Sequence, residues 1–353
     1  MKKIKIGLVG IGRAGWGMHT VELDTRNDKF EIVACCDVIP ERNEKMKEKY
    51  GCRTYGSIEE LVLDPEVEIV DIATRTCDHY KHALIALNAG KDVILDKPMT
   101  MSYAEAYDLF KRANKPGLPK LYIRQQRRFE TKFNAVLEAV NSGKLGNVYL
   151  INIEQNTFQH RDDWQTIKEF GGGQLLNWGP HIIDHSLQLL GEPACEIRSE
   201  LKQVCAGGDC EDRVDISFRG ASGRTVNMCI SGASALREGR YFTAYGTRGA
   251  LDVVGRKMTL RYIDPEQIVP EPIANPETPE GDFGASGTFE SGFKLNWITE
   301  EIDIPKDDLF VFWDYIYDSY VSGAPFPIKD NEVLEIMRTI TTVKEQNPII
   351  KRI

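Results

Sequence analysis

No C-x-x-C pair occurs in this chain of 353 residues, although it carries eight cysteines, at 35, 36, 52, 77, 195, 205, 210 and 229. A chain of this length needs no disulfide staples, so the thiols read as reduced and mostly buried. Cys205 and Cys210 are close enough to pair, but they read as a strand-end coincidence. No apolar run approaches the ~18 to 20 residues that span a bilayer. The start, "MKKIKIGLVGIG", puts lysines before apolar residues as a signal peptide does, yet glycines interrupt it and no small-residue cleavage site follows. It reads as a first strand. No basic cluster stands out from a net charge of -9 with both signs spread along the chain. That argues against nucleic acid or an anionic membrane surface as partner. There is no internal repeat. A cytoplasmic globular protein is the expectation.

What is present is ordinary in bulk: 42% hydrophobic and 27% charged residues. The length suggests two domains, each with its own core. Up to residue 125 strand and helix patterns alternate. "IKIGLVG", "EIVACCD", "EIVDIAT" and "KDVILD" are continuous apolar strands of the kind buried on both faces. Between them, Pro40 suits the first turn of a helix closed by Gly51, and "HYKHALIALNAG" has helical periodicity. Ser57 with Glu60, and Ser102 with Glu105, have capping-box spacing. Such alternation predicts right-handed crossovers and a parallel sheet. After residue 125 the pattern changes. A helix over Glu130 to Asn141 leads into alternating strands from "NVYLINIEQNTF" through "RVDISFRG", "RTVNMCISG", "RYFTAYGT" and "ALDVVG". These predict a mostly antiparallel sheet. The Pro-, Gly- and acid-rich stretch 265–287 reads as an irregular excursion, followed by helices near Leu309 to Ser322 and after Asp330.

Two short stretches carry the chemistry. In "GLVGIGRAG", Gly10, Gly12 and Gly15 have G-x-G-x-x-G spacing, directly after the first strand and before a segment that can be helical. Asp37 ends the second strand. In that context the glycines, with Arg13 among them, read as a dinucleotide loop: a tight turn, a close backbone approach to a pyrophosphate, and a carboxylate for the ribose diol. A carboxylate repels a 2′-phosphate, which favours NAD over NADP, although Arg42 lies close enough to neutralise one. The second stretch is "DVILDKPMT", where an apolar strand ends on Asp96, Lys97 and Pro98. The bland reading is a solvated turn. The alternative is that Lys97 stands at a strand tip open to a ligand crevice.

With "GKDVILDKP" and "GGGQLLNWGPHIID" added to the glycine loop, the chain resembles the glucose–fructose oxidoreductase / inositol dehydrogenase (Gfo/Idh/MocA) family over essentially its whole length. "RRFETKFNAVLEAVNSGKLGNVYLI", with Arg128 and Phe129, looks like the family's domain-crossing segment, and "AYGTRGAL" like its strand turn. The resemblance implies an NAD(P)-binding Rossmann domain over 1–125. It implies a substrate-binding and oligomerisation α/β domain over 126–353, built on a large open, mostly antiparallel sheet. It also implies hydride transfer between a nicotinamide and a secondary alcohol of a sugar, polyol or glycoside. The family's E-K-P lysine maps onto Lys97, and its D-x-x-x-H pair onto Asn177 and His181. Asp96 is one methylene shorter than the family glutamate, and Asn177 is an amide where the family has a carboxylate. Thr74-Arg75 stands where T-P is common, which brings a cation near the nicotinamide. The resemblance also suggests that the Lys97–Pro98 bond is cis.

The roles follow from alcohol oxidation, in which a proton leaves oxygen as a hydride leaves carbon. His181 is the candidate base because histidine titrates near neutrality, and Lys97 the candidate group for holding the oxygen. The two are expected to face one cavity. Asp37, Thr74, Asp96 and Lys97 join the glycine loop as candidate cofactor contacts. Arg128, Asn177, and Asp162 and Trp164 of "FQHRDDW" are candidate substrate contacts. His79 reads as a capping or packing residue as readily as a substrate contact. No metal is expected, but His181, Asp184 and His185 share the i, i+3, i+4 face of a helix and could hold one with His160 or Glu154. Two other readings remain open: an NAD-dependent glycosidase that oxidises its sugar transiently, and a non-catalytic NAD-binding regulator, which Asn177 keeps alive. An open sheet face with apolar surface is expected to pair copies into a homodimer or homotetramer.

Overall fold

The computed structural model describes residues 2–236, 240–271, 273, 276 and 294–353. Six strands form a wholly parallel sheet: β1 (Ile4–Val9), β2 (Phe30–Cys36), β3 (Arg53–Tyr55), β4 (Ile69–Ile72), β5 (Asp92–Asp96) and β6 (Leu121–Arg124). Their order is β3-β2-β1-β4-β5-β6. The direction of winding therefore reverses between β1 and β4, and the crevice beyond their C-terminal ends is where such sheets bind ligands. The central strands are mostly apolar because helices cover both faces: Ile69, Val70, Val93, Ile94 and Leu95 are all fully buried, with Asp71 and Arg124 among the buried charged exceptions. The segment after the glycine loop is helical as expected. It opens with a π-helical turn, Gly15–His19, before the α-helix Thr20–Asp24.

The second sheet runs β14-β13-β12-β11-β7-β10-β9-β8-β15. Its strands are β7 (Val148–Asn156), β8 (Ala194–Gln203), β9 (Arg213–Gly220), β10 (Thr225–Ser231), β11 (Arg240–Gly246), β12 (Gly249–Val254), β13 (Lys257–Ile263), β14 (Trp297–Asp303) and β15 (Lys351–Arg352). Only β7–β10 and β8–β15 pair in parallel. One face packs on helix Gly179–Leu190 through alternate residues such as Ile151, Ile153, Val214, Ile216, Val226 and Met228. The other face is not apolar, which corrects the expectation above. Asn152 donates to Thr243 Oγ1 and Asn227 donates to Asn152 Oδ1, each at 3.1 Å, and Arg213 pairs with Asp215 at 2.7 Å. Homo-oligomer formation therefore loses the argument from buried apolar area.

Ser102 and Glu105 form the full capping box. Ser57 accepts from the Glu60 amide, but the Glu60 carboxylate bonds Gly56 instead of closing the box. Helix Val311–Ser322 returns from the second sheet to the first: Trp313 meets Phe30 edge-on at 5.6 Å, and Asp314 binds both Arg26 and Lys29. Most of the 265–287 stretch falls outside the described residues. Among the described residues, no helix is long and apolar enough to cross a membrane, and the eight cysteines are free.

Candidate active site

The glycine loop leaves β1 under tight steric limits. Gly10 sits at φ +90°, and a Cβ there would lie 2.8 Å from the Ala73 carbonyl oxygen. A Cβ on Gly15 would lie 2.0 Å from the Gly10 oxygen. These two positions need glycine for the turn itself. At Gly12 a Cβ would meet only Arg42 Nη1 at 3.9 Å, so that glycine keeps a surface bare for close backbone approach. Asp37, at the tip of β2, accepts from the amides of Ile11 at 2.7 Å and Ile39 at 2.9 Å, with Arg42 Nη1 3.3 Å away. A bare backbone, a helix start and an oriented carboxylate together fit a dinucleotide.

Lys97 stands at the tip of β5, and its bond to Pro98 is cis. His79 spans the turn, with Nδ1 2.7 Å from the Pro98 oxygen and Nε2 3.2 Å from the Thr74 oxygen, so it braces the backbone. Thr74 Oγ1 lies 3.1 Å from His82 Nδ1. Lys97 Nζ crosses to the second unit, donating to the Asn177 carbonyl at 2.8 Å and to its Oδ1 at 3.3 Å. Burial lowers the Lys97 amine to about 8; Asp96 opposes the shift, and Arg124, Arg127 and Arg13 add to it. His181 lies one helical turn beyond Asn177, is buried, and has no partner for Nδ1 among the described residues. Burial foremost, then the Lys97 charge, holds it well below the usual imidazole value. Burial thus favours the uncharged form of both groups, and the His181 shift is the deeper departure from an imidazole poised at neutrality.

Five expected residues lie elsewhere. Arg128 faces inward and binds Asp184 through Nε at 2.7 Å, with Glu332 at 3.0 Å, so its guanidinium is already engaged by two carboxylates. Burial raises Asp184, and Arg128 only partly offsets this. His185 stacks on Phe133 at 4.1 Å with Nε2 2.9 Å from the Arg127 oxygen. Asp184 and His185, which share a helix with His181, are each committed to other neighbours. Among the described residues no group of three or more His, Cys, Asp or Glu is placed to hold a metal ion. Glu154 bonds Asn156 on the open sheet face, and His160 tilts against Phe158. Asp162 is exposed. Trp164 and Phe170 flank Arg75, whose guanidinium carbon is 5.8 and 4.6 Å from the two ring centres. The cation expected at Arg75 thus clasps the Phe158-to-Phe170 loop onto the first unit.

Two family models match successive stretches of the chain. Residues 4–122 match an oxidoreductase family model with an NAD-binding Rossmann fold, and residues 133–252 match a GFO/IDH/MocA C-terminal domain. An oxidoreductase of Schizosaccharomyces pombe is 30% identical over 95% of this chain and 95% of its own. The chain belongs to the Gfo/Idh/MocA family. The scyllo-inositol 2-dehydrogenase (NADP(+)) of Bacillus subtilis is another relative, 24% identical over 98% of this chain and 94% of its own. Among solved structures, the WlbA dehydrogenase of Bordetella pertussis in complex with NADH and UDP-GlcNAcA superposes with a TM-score of 0.76 at 18% identity, covering 98% of this chain and 97% of that one. That likeness concerns the fold. Three buried polar residues that the sequence reading did not single out are Glu22, Arg124 and Gln125. Arg124 is 1% exposed, and Gln125 Nε2 donates to the Pro180 oxygen at 2.5 Å.

Proposed function

We propose that this Gfo/Idh/MocA protein is an NAD-dependent dehydrogenase that oxidises a secondary alcohol of a sugar, polyol or glycoside. The observation that carries the reading is the Lys97 amine at the tip of β5, lowered to about 8 and held against Asn177 one turn before a neutral His181. Gly10, Gly12, Arg13, Gly15, Asp37 and Thr74 would hold the cofactor, and bound NAD would supply the hydride acceptor. Lys97, as the free amine, accepts the hydroxyl proton. His181, neutral and with Nδ1 unpaired, hydrogen-bonds the substrate and keeps its oxygen oriented. Asn177 cannot take a proton as the family carboxylate does, but its two oxygens aim the lysine. Trp164 and Asp162 are the proposed contacts on the loop side. NAD is favoured over NADP because Asp37 uses both carboxylate oxygens at the position a 2′-phosphate would approach. The test is a screen of sugars, polyols and glycosides with each nicotinamide. Net reduced nicotinamide from a carbohydrate alcohol is expected. Glycoside cleavage without added cofactor or net redox would replace this reading with the glycosidase. Tight NAD binding with no turnover of any carbohydrate would leave the regulator.

A further inference from the structure

Behind Lys97 lies a line of buried polar side chains that the proposed chemistry does not use. Trp313 Nε1, from the returning helix Val311–Ser322, donates to Glu22 Oε2 at 2.7 Å. The other Glu22 oxygen accepts from Arg124 Nη2. Arg124 Nη1 lies 3.5 Å from Asp96 Oδ1, which also accepts from the Lys97 backbone amide at 2.9 Å. Gln126, with its amide oxygen turned toward Arg124, accepts from Nη1 at 2.9 Å. All of these charged groups are nearly buried: Glu22 at 6%, Arg124 at 1% and Asp96 at 9% exposed. An arginine in the core between two carboxylates is costly unless each charge is met, and replacing the set with apolar residues often stabilises a protein. Such a set is therefore weak as a stabiliser, and its end point is the strand tip that carries Lys97.

We propose that Arg124, braced by Glu22 and Trp313, is a positioning residue that acts on Lys97 through Asp96. The inference rests on the reading of Lys97 as the proton acceptor. Asp96 alone would hold the neighbouring amine in its charged form. Arg124 engages the Asp96 carboxylate from the other side, so the lysine is released to lose its proton within the working range. Other groups face this pair. Arg127 comes from the 3-10 turn Gln126–Phe129, Arg13 from the glycine loop, His79 from helix Thr76–Asn88, His19 from the π-helical turn, and Asn177 and His181 from the second unit. None of them contacts both Glu22 and Asp96.

Two variants with opposite charge effects test this. Arg124→Gln removes a positive charge, which raises the proton affinity of both Asp96 and Lys97, whichever carries the proton. Glu22→Gln removes a negative charge, keeps an acceptor for Trp313, and lowers those affinities. The readout is the titration of Lys97 followed by its 13Cε resonance in the whole protein with lysine labelled, assigned by Lys97→Arg. The expected shifts are roughly half to one pH unit, alkaline for Arg124→Gln and acid for Glu22→Gln. A merely structural brace would move melting temperature in both variants without opposite shifts. If neither variant moves the titration, or both move it the same way, the proposal falls. If Arg124→Gln does not fold, Glu22→Gln decides alone: an acid shift supports the proposal and any other result overturns it. Opposite NMR shifts that the pH–rate profile does not follow would remove Lys97 as proton acceptor and leave the positioning role standing.

Discussion

An amine that loses its proton near pH 8 can act as a base for an alcohol without the strong field a normal lysine would need. The direction of the pH effect follows. For alcohol oxidation kcat/KM should rise as pH passes through about 8 and then level off, because the neutral Lys97 amine is the active form. Lys97→Ala should abolish that limb and lower turnover by at least about a hundredfold, while NAD still binds by fluorescence titration. His181→Asn should lower turnover but leave the limb in place, since a histidine already neutral contributes no proton loss there. A limb that vanished with His181 instead would reverse the two roles. At the other end of the crevice, Asp37→Ser should move preference from NAD toward NADP, with Arg42 freed from the carboxylate 3.3 Å away. Competitive binding of the two nicotinamides measures this, and unmodified protein that prefers NADP would defeat the assignment. Lys97, Asn177, His181 and the glycines could be named from sequence because their chemistry sits in short contiguous patterns. The pKa directions of Lys97 and His181 could not, because those depend on burial and on Arg124 and Arg127, which come near only through tertiary contact.

Strands and helices were readable wherever one physical signal dominated. β1, β2, β4 and β5 are unbroken apolar runs, and helix Pro40–Tyr50 is bracketed by Pro40 and by Gly51 at φ +64°. β8 was not readable, because an edge-side strand such as "ACEIRSELKQ" shows charge on its half-exposed faces and little alternation. The triple glycine before Asn177 was legible as a family feature but not in its cause. Gly173, at φ +97°, would place a Cβ 2.2 Å from Glu211 Oε1, and that same oxygen accepts the Leu175 amide at 2.8 Å. Gly173→Ala should therefore destabilise the fold by more than about 1 kcal/mol, read as a lower midpoint in urea. Burial raises Glu211 to about 7, with the Leu175 amide only partly opposing it. The folded state thus binds a proton more tightly than the unfolded chain. Its share of stability is full below the ordinary glutamate range and is lost as pH rises to about 7. Glu211→Gln should flatten denaturation midpoints across that interval; an unchanged slope would show that Glu211 is not its source.

The molecule as a whole is less divisible than its two sheets suggest. Each sheet is built from a continuous stretch, which is why the change of pattern near residue 125 could be read. The return of helix Val311–Ser322 could not, because nothing in an amphipathic helix names the surface it will cover. Phe312, Trp313 and Ile316 are fully buried, and Trp313 closes over Phe30 and Glu22. A fragment of residues 1–125 would expose that surface and strand Glu22 beside Arg124. Each large apolar side chain lost is worth roughly 1.5–3 kcal/mol, a large fraction of a domain's stability. The fragment should bind a hydrophobic dye and unfold without cooperativity, and a peptide of residues 309–326 added in trans should restore a sharp transition. A cooperative fragment with no peptide would show that the helix is dispensable. The clasp of Arg75 between Trp164 and Phe170 has an optical consequence. An indole lying over a guanidinium on the opposite unit emits according to whether that cation is there, so the colour of Trp164 is a gauge of how closely the Phe158-to-Phe170 loop rests on the Rossmann unit.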